Sequence, residues 1–496
     1  MTKRDLSYLM FALFLGNVMT GLDSTVINTA IPAIVAALHG IEFMGWIVAV
    51  FLLGMSVSIP LWTKIGERIG NKKAYEISVV LFILGSLFQG LAGNIYFFLL
   101  SRFLMGLGAG GMGSLPYIIV GYVIANIKQR TKMLGVLTAG FNGAAILGPL
   151  VGGTIIDSLS WHWVFFINIP IGLIAIVIAA IFYHPQLEPS AAEFDWLGAS
   201  YLILGLLCFL LGIQLMGIAS SWLVSGLIAA SFVAMICFIW TERQVLNPVL
   251  PLTIFKNQAL NGDFLIFATT WGAFLAVNTY LPTWAQALLG LSALMGGMAL
   301  IPNSIVDIIA SQSVSSLQEK ISTFALVSWG IGSMAISALG MFFLTVHSPL
   351  WQLVLLCSFS GIGVGFIFVG LQVKVQIDAG QKAMAAATST SYLIRILAQT
   401  LMAAIYGVIM NFALENGVRG QNQISLNMMN KLSDAATAKT LPQSLLPAMR
   451  AIFHNGIQHI MLVSCLLLVL AASFNYYYNV HLNRKAKTSQ APVQSL

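Results

Sequence analysis

The feature that most limits what this chain can become is its series of long apolar runs, divided by short polar breaks, from Ser7 almost to the C-terminus. A run of about 18 or more such residues is long enough to cross a ~30 Å hydrocarbon layer as a helix. Fourteen runs can be marked, at roughly 7–38, 43–63, 74–93, 96–124, 132–156, 163–183, 196–217, 221–241, 263–288, 293–316, 323–345, 350–374, 383–412 and 456–480. They are continuous rather than alternating, so helices and not a barrel satisfy the backbone in lipid. Only 8% of the residues are charged, against about 25% in soluble domains. The expected fold class is an all-α polytopic membrane protein with 14 transmembrane helices.

A net charge of +7 would suggest a nucleic-acid ligand in a soluble protein. Here most Lys and Arg fall in alternate short loops, beginning with Lys3, Arg4, Lys64, Arg68, Lys72 and Lys73, while the opposite short loops hold none. That asymmetry predicts a multi-pass protein of the cell (inner, cytoplasmic) membrane with both termini cytoplasmic, and no nucleic-acid partner. Two stretches depart from it: 184–195 is acidic, and the long outside segment 411–454 carries Arg419, Lys431, Lys439 and Arg450. The outside segment reads equally as an amphipathic helix or lid and as a solvated hairpin. Lys3 and Arg4 precede an apolar stretch as in a signal peptide, but no small-residue cleavage site interrupts it, so a retained first span is expected. Cys208, Cys237, Cys357 and Cys465 all lie inside apolar runs without paired spacing and read as small buried hydrophobes.

Within the first run stands one carboxylate, Asp23. At ~100° per residue, Gly16, Asn17, Thr20, Asp23, Ser24 and Asn28 share one arc, opposite Phe11, Phe14, Leu15, Val18, Leu22 and Val26. An acid at that depth is costly and by default marks an ion or substrate pathway; a packing acid tied to a neighbouring helix is the competing reading. Arg102, in the fourth run, is a buried cation that needs a partner, and Arg395 is its deep counterpart in the second half. Either can serve as a structural ion pair or in coupling. Asp307 is the second deep acid, with Asn303, Ser304 and Ser311 a turn away on the same face.

An internal repeat divides the chain. Ile65 to Gly70 after the second run is echoed by Leu317 to Ser322 after the tenth, and Gly106, Gly108 and Gly110 by Gly361, Gly363 and Gly365. The expected organisation is a six-helix half at 1–190, two inserted helices at 191–245, a second six-helix half at 246–482 and a cytoplasmic tail at 483–496. Parallel six-helix halves around a midplane site are a transporter architecture.

Four motifs then give the chain its resemblance to the major facilitator superfamily, in particular its 14-helix drug:proton antiporter branch. Leu22-Asp23-Ser24-Thr25-Val26-Ile27-Asn28-Thr29-Ala30-Ile31-Pro32 fits the first-helix motif of that branch. Glu67, Arg68, Gly70 and Lys72 resemble the cytoplasmic loop motif, with Thr63 and Asn71 departing from it. Arg102 with Gly106, Gly108 and Gly110 resembles the fourth-helix motif, in which Met105 stands where glutamine is usual. Gly148-Pro149-Leu150-Val151-Gly152-Gly153 resembles the antiporter motif, and Trp161 to Pro170 is also typical, with His162 where arginine is common. The resemblance implies gating by Glu67, Arg68, Gly70, Lys72, Gly148, Pro149, Gly152 and Gly153, and proton coupling at Arg102.

Physical chemistry supplies matching roles. Charges at a helix–loop–helix turn can pair in one conformation and release in another, or merely set topology. Glycines allow close helix approach and Pro149 permits bending. Asn17, Thr20, Asn28, Asn142, Trp271, Asn278, Tyr280, Gln286, Asn303, Gln372, Tyr392 and Gln399 are candidates to line a cavity for a flat lipophilic cation; interfacial aromatic belts are the alternative for the aromatic ones. Gly106 to Gly111 matches a dinucleotide fingerprint in form only, since no strand precedes it, and no Walker motif occurs. No metal or nucleophile constellation appears. The expectation is a monomeric, non-enzymatic antiporter in the lipid bilayer, without cofactor and driven by the proton gradient, that exchanges protons for lipophilic cationic drugs. Export of an amphipathic or anionic metabolite or lipid is the alternative.

Overall fold

The computed structural model describes residues 2–38, 44–183, 195–216, 219–291, 293–419, 421, 423–432 and 441–478, and every regular element among them is helical. The side chains of Asn28 and Pro149 lie outside those described, as do the 483–496 tail and the acidic stretch up to 194. The helices are α1 (Lys3–Ala37), α2 (Met44–Ile69), α3 (Asn71–Gly90), α4 (Ile95–Val123), α5 (Ile127–Ser158), α6 (Trp163–Phe166), α7 (Asn168–Phe182), α8 (Trp196–Gln214), α9 (Ser221–Glu242), α10 (Gln258–Ala287), α11 (Ala293–Met298), α12 (Ile301–Leu317), α13 (Thr323–Phe343), α14 (Leu350–Val418), α15 (Leu426–Leu432) and α16 (Leu446–Tyr476). Side-chain caps mark where polar breaks start them: Asn94 on Phe97, Asn126 on Gln129, Asp195 on Gly198.

Among the described residues, eleven helices are long and apolar enough to cross a membrane, or twelve if the bent pair Ile127–Gly148 and Leu150–Ile156 is one span. The chain is thus a multi-pass helical membrane protein. Two elements explain why this number differs from the fourteen runs. α12 has 17 residues, and α14 has 69 residues but contains Gly380 at φ 65°, ψ 173°. That backbone region is essentially closed to residues with a Cβ, and it breaks the helix there.

Contacts group the chain into two compact units, one of 1–254 with 375–397, the other of 255–374 with 398 onward. In the first unit α1 packs on α5 and α7, α2 and α3 on α4, and α8 on α9. In the second, α10 and α13 pack on α16.

The glycine triplets show the repeat in three dimensions. A Cβ on Gly106 would collide with Phe51 O, and one on Gly110 would stand 2.7 Å from Met55 O, both on α2. The middle residue, Gly108, turns to α3, 2.6 Å from Ser78 O. In the second unit a Cβ on Gly361 would collide with Asn303 O and one on Gly365 would stand 2.7 Å from Asp307 O, both on α12, while one on Gly363 would stand 2.6 Å from Gly330 O on α13. Phe51 pairs with Asn303, Met55 with Asp307 and Ser78 with Gly330 at one constant offset, the same as between the two echoed loops. Each triplet therefore locks three helices at backbone contact distance.

The described parts of 411–454 are not a solvated hairpin. Leu414, Ile424, Met429, Leu432, Leu441, Met449 and Phe453 are buried in one core with Val277, Leu281 and Trp284 of α10. Removing apolar side chains from water, at about 1.5–3 kcal/mol each, favours holding these parts against the core of the second unit.

Candidate transport site

α1 buries Asn17 and Asp23 on its polar arc and Leu22 and Val26 on its apolar arc, while Phe11 on the apolar arc is exposed. On the polar arc, Asn17 is 2% exposed; its Nδ2 donates to Leu13 O at 3.0 Å and its Oδ1 accepts from Tyr117 Oη at 3.5 Å. Thr20 and Ser24 turn their hydroxyls back to their own helix, onto Gly16 and Asn17 and onto Gly21. On the apolar arc, Leu22 and Val26 join a core with Ile95, Phe98, Trp161 and Phe165. α5 comes close because Gly148 abuts Thr25 and Val26, and Gly152 abuts Val26 and Thr29. Gly153 has open space where a Cβ would go, so it takes no part in that contact.

Asp23 and Arg102 meet in this packing. Arg102 Nη1 lies 2.9 Å from Asp23 Oδ1, with side chains 2% and 3% exposed. α2 completes the setting: Arg102 Nε donates to Ile47 O at 3.2 Å, and its guanidinium sits 4.3 Å from the centre of the Phe51 ring. Met105 Sδ is 3.7 Å from the same Nη1 and also accepts from Gln89 Nε2 at 2.9 Å. The second carboxylate oxygen, Asp23 Oδ2, is buried with no hydrogen-bond partner among the described residues. An oxygen in that condition is expensive to leave empty and is the natural place for a proton or a cation.

Arg395 falls in the same unit, 4% exposed; its Nε donates to Ser391 O at 3.3 Å and its guanidinium is 5.1 Å from the Tyr392 ring. Tyr392 packs on Gly113 and reaches Met55 Sδ at 3.9 Å, and Gln376 Nε2 donates to Tyr117 O at 3.0 Å. Asn142 is half-buried. The loop charges are local as well. Lys64 pairs with Glu67 at 2.7 Å, Gly70 opens α3 at φ 89°, Arg68 is exposed, and Lys72 Nζ donates to Ala180 O in the last turn of α7. A lysine on a helix C-terminus is favoured by its dipole. His162 stacks on Trp161 at 3.8 Å, and burial lowers its pKa, so it is neutral at pH 7 where an arginine would be charged.

The second unit holds Asp307, 5% exposed, whose Oδ1 accepts from Ser311 Oγ at 3.0 Å. Asn303 and Gln372 are buried there too, and Asn303 Oδ1 has no partner among the described residues. Trp271 packs between Phe267 and Phe368 at 5.3 and 5.8 Å, and Tyr280 faces Tyr406 at 6.3 Å. Asn278, Gln286 and Gln399 are half-buried. Asp307 belongs to the second unit and Arg395 to the first. Sequence reasoning missed two things. It gave no partner to Asp263, near the start of the ninth apolar run, which is 1% exposed and paired with Lys374 at 2.8 Å. It also gave Phe51 no role, because a Phe in an apolar run carries no signal that a guanidinium will lie on it.

A profile described as "Major Facilitator Superfamily" matches residues 13–403. The chain belongs to the Major Facilitator Superfamily. Multidrug resistance protein 3 of Bacillus subtilis (strain 168) is 27% identical over 479 residues, covering 94% of this chain and 93% of that protein. Multidrug transporter protein MdtP of the same organism is 30% identical over 417 residues, 83% of this chain and 76% of that one. Multidrug efflux pump SdrM of Staphylococcus aureus (strain N315) is 27% identical, covering 83% and 91%. Among solved structures, the proton:xylose symporter XylE matches with a TM-score of 0.60 at 16% identity, over 97% of this chain and 96% of that one, which shows the shared fold. Family and relatives alike make this member a transporter rather than an enzyme.

Proposed function

We propose that the chain is a proton-coupled antiporter that exports lipophilic cationic drugs across the cell membrane by alternating access of its two halves. The observation that carries this reading is the buried Asp23–Arg102 pair with Asp23 Oδ2 unpartnered. Arg102 holds one carboxylate oxygen, balances its charge and fixes the rotamer, so a proton or a cationic guest at the other oxygen competes with the guanidinium for that one charge. A proton and a cationic guest satisfy that charge equally well and cannot both do so, which is the condition for exchange. The membrane potential contributes about 2.3 kcal/mol per charge per 100 mV to the inward proton. The multidrug names of the relatives support drugs as the cargo.

Fourteen spans fit this function when the bent α5 and the 17-residue α12 each count as one and α14 as two, divided at Gly380. The halves are then 1–190 and 246–482 with α8 and α9 inserted, and the Lys/Arg loops place both termini in the cytoplasm. Asp307 is proposed as a second acid, Arg395 as an accessory cation, and the remaining polar and aromatic candidates as cavity lining. The transporter works as a monomer without cofactor.

The test is drug-gradient-driven proton movement in proteoliposomes. D23N should lose it while still reconstituting; proton movement at the wild-type rate in D23N would remove Asp23 from the mechanism. A panel of ethidium-like cations against amphipathic anions, read in the same vesicles, should show flux for the cations; flux of the anions alone would point to metabolite or lipid export instead.

A further inference from the structure

The α8–α9 pair carries two buried acids for which the transport reading has no use. Asp195 caps α8, its Oδ1 accepting from Gly198 N at 2.8 Å, and it is 9% exposed. Glu242 ends α9 and is 5% exposed. Its Oε1 accepts from Val249 N at 3.0 Å and Leu250 N at 3.4 Å, and its Oε2 from Leu250 N at 3.3 Å. The side chain therefore ties the end of its own helix to the backbone seven and eight residues on.

The two acids meet over Gly198. A Cβ at that position would collide with Asp195 Oδ2 and stand 3.1 Å from Glu242 Oε1. Asp195 Oδ2 is buried and has no hydrogen-bond partner among the described residues. Two carboxylates thus crowd one buried side of Gly198, and among the described residues Asp195 Oδ2 has no donor. As two anions they would repel strongly at low dielectric. The charge that faces them comes from α2, where Lys64 acts on Glu242, yet its ammonium is 2.7 Å from Glu67 Oε2. Arg243, the next residue after Glu242, is exposed.

We propose that Asp195 and Glu242 together form a proton-binding site separate from Asp23, with one proton held between Asp195 Oδ2 and Glu242 Oε1. Backbone N–H groups already serve Asp195 Oδ1 and both oxygens of Glu242, so Asp195 Oδ2 is the one carboxylate oxygen of the cluster still lacking a donor, and the proton supplies it. With it bound, the start of α8, the end of α9 and the 249–250 backbone form one hydrogen-bonded unit. When it leaves to water, the pair gains a negative charge, and Lys64 is the neighbouring cation that can answer it by turning from Glu67. Proton occupancy here is thereby linked to the charged turn between α2 and α3.

Infrared difference spectra across a pH jump, on the purified full chain in lipid, test this without any transport readout, so the outcome is separable from that of the antiport proposal. The wild type should show a protonated-carboxyl band that both D195N and E242Q lack and that D23N keeps. D195N places an amide N–H where the proton would lie and should unfold within a few degrees of the wild type, so it carries the test even where E242Q does not fold. Persistence of the full set of bands in D195N overturns the proposal. So does a band that follows Na⁺ at fixed pH, which would make the pair a metal-cation site.

Discussion

The Asp23–Arg102 pair is held by geometry that neither residue could create alone. Two charges taken out of water are tolerated because each completes the other, while Ile47 O and the Phe51 ring take up the rest of the guanidinium. Removing one partner strands the other, so R102A should lower unfolding stability by about 3–5 kcal/mol, measured by thermal or denaturant melts in detergent. The double variant D23N/R102Q should recover most of that loss and still fail to move protons, which separates the structural share of the pair from its coupling role. K374M should act in the same direction in the second unit, since it removes the ion pair made by the buried Asp263. The depth of Asp23 was legible from its place in an apolar run. Its partner was not, because nothing local in the sequence connects two residues that are 79 positions apart.

Among the elements, the glycines divide into those that permit contact and those that do not. Gly108 and Gly363 touch backbone of the neighbouring helix, so G108L and G363L should each cost about 1–3 kcal/mol by overpacking, seen as lower melting temperature and yield. G153A faces open space and should be neutral or stabilising by up to about 1 kcal/mol, although it sits in the same motif as Gly148. G380A forces a Cβ into a conformation that costs about 1–3 kcal/mol and should destabilise the α14 break, read by increased proteolysis near that turn. The repeat was visible in the sequence as matching spacings. Its meaning was not, since only packing shows that the outer glycines of each triplet meet one helix and the middle glycine another.

For the whole molecule, charge rather than packing sets orientation. Basic loops resist translocation, so the termini should stay with the Lys/Arg-rich side. In a variant lacking Cys208, Cys237, Cys357 and Cys465, a single cysteine replacing Thr2 should resist a membrane-impermeant thiol reagent added to intact cells and react after lysis. Labelling in intact cells would invert the topology and with it the direction of export.

Apolar runs were enough to determine a multi-pass helical membrane protein, and the motifs around Asp23, Arg102 and Gly148 its family, because each is a local property of the chain. The burial of Leu414, Met429, Met449 and Phe453 from the 411–454 segment, the pairing of Asp23 with Arg102 and of Asp263 with Lys374, and the meeting of Asp195 with Glu242 were decided only by the tertiary structure. Composition says that a buried charge must find a partner. Which partner it finds depends on helices folding back across tens or hundreds of residues, and packing alone selects among those encounters.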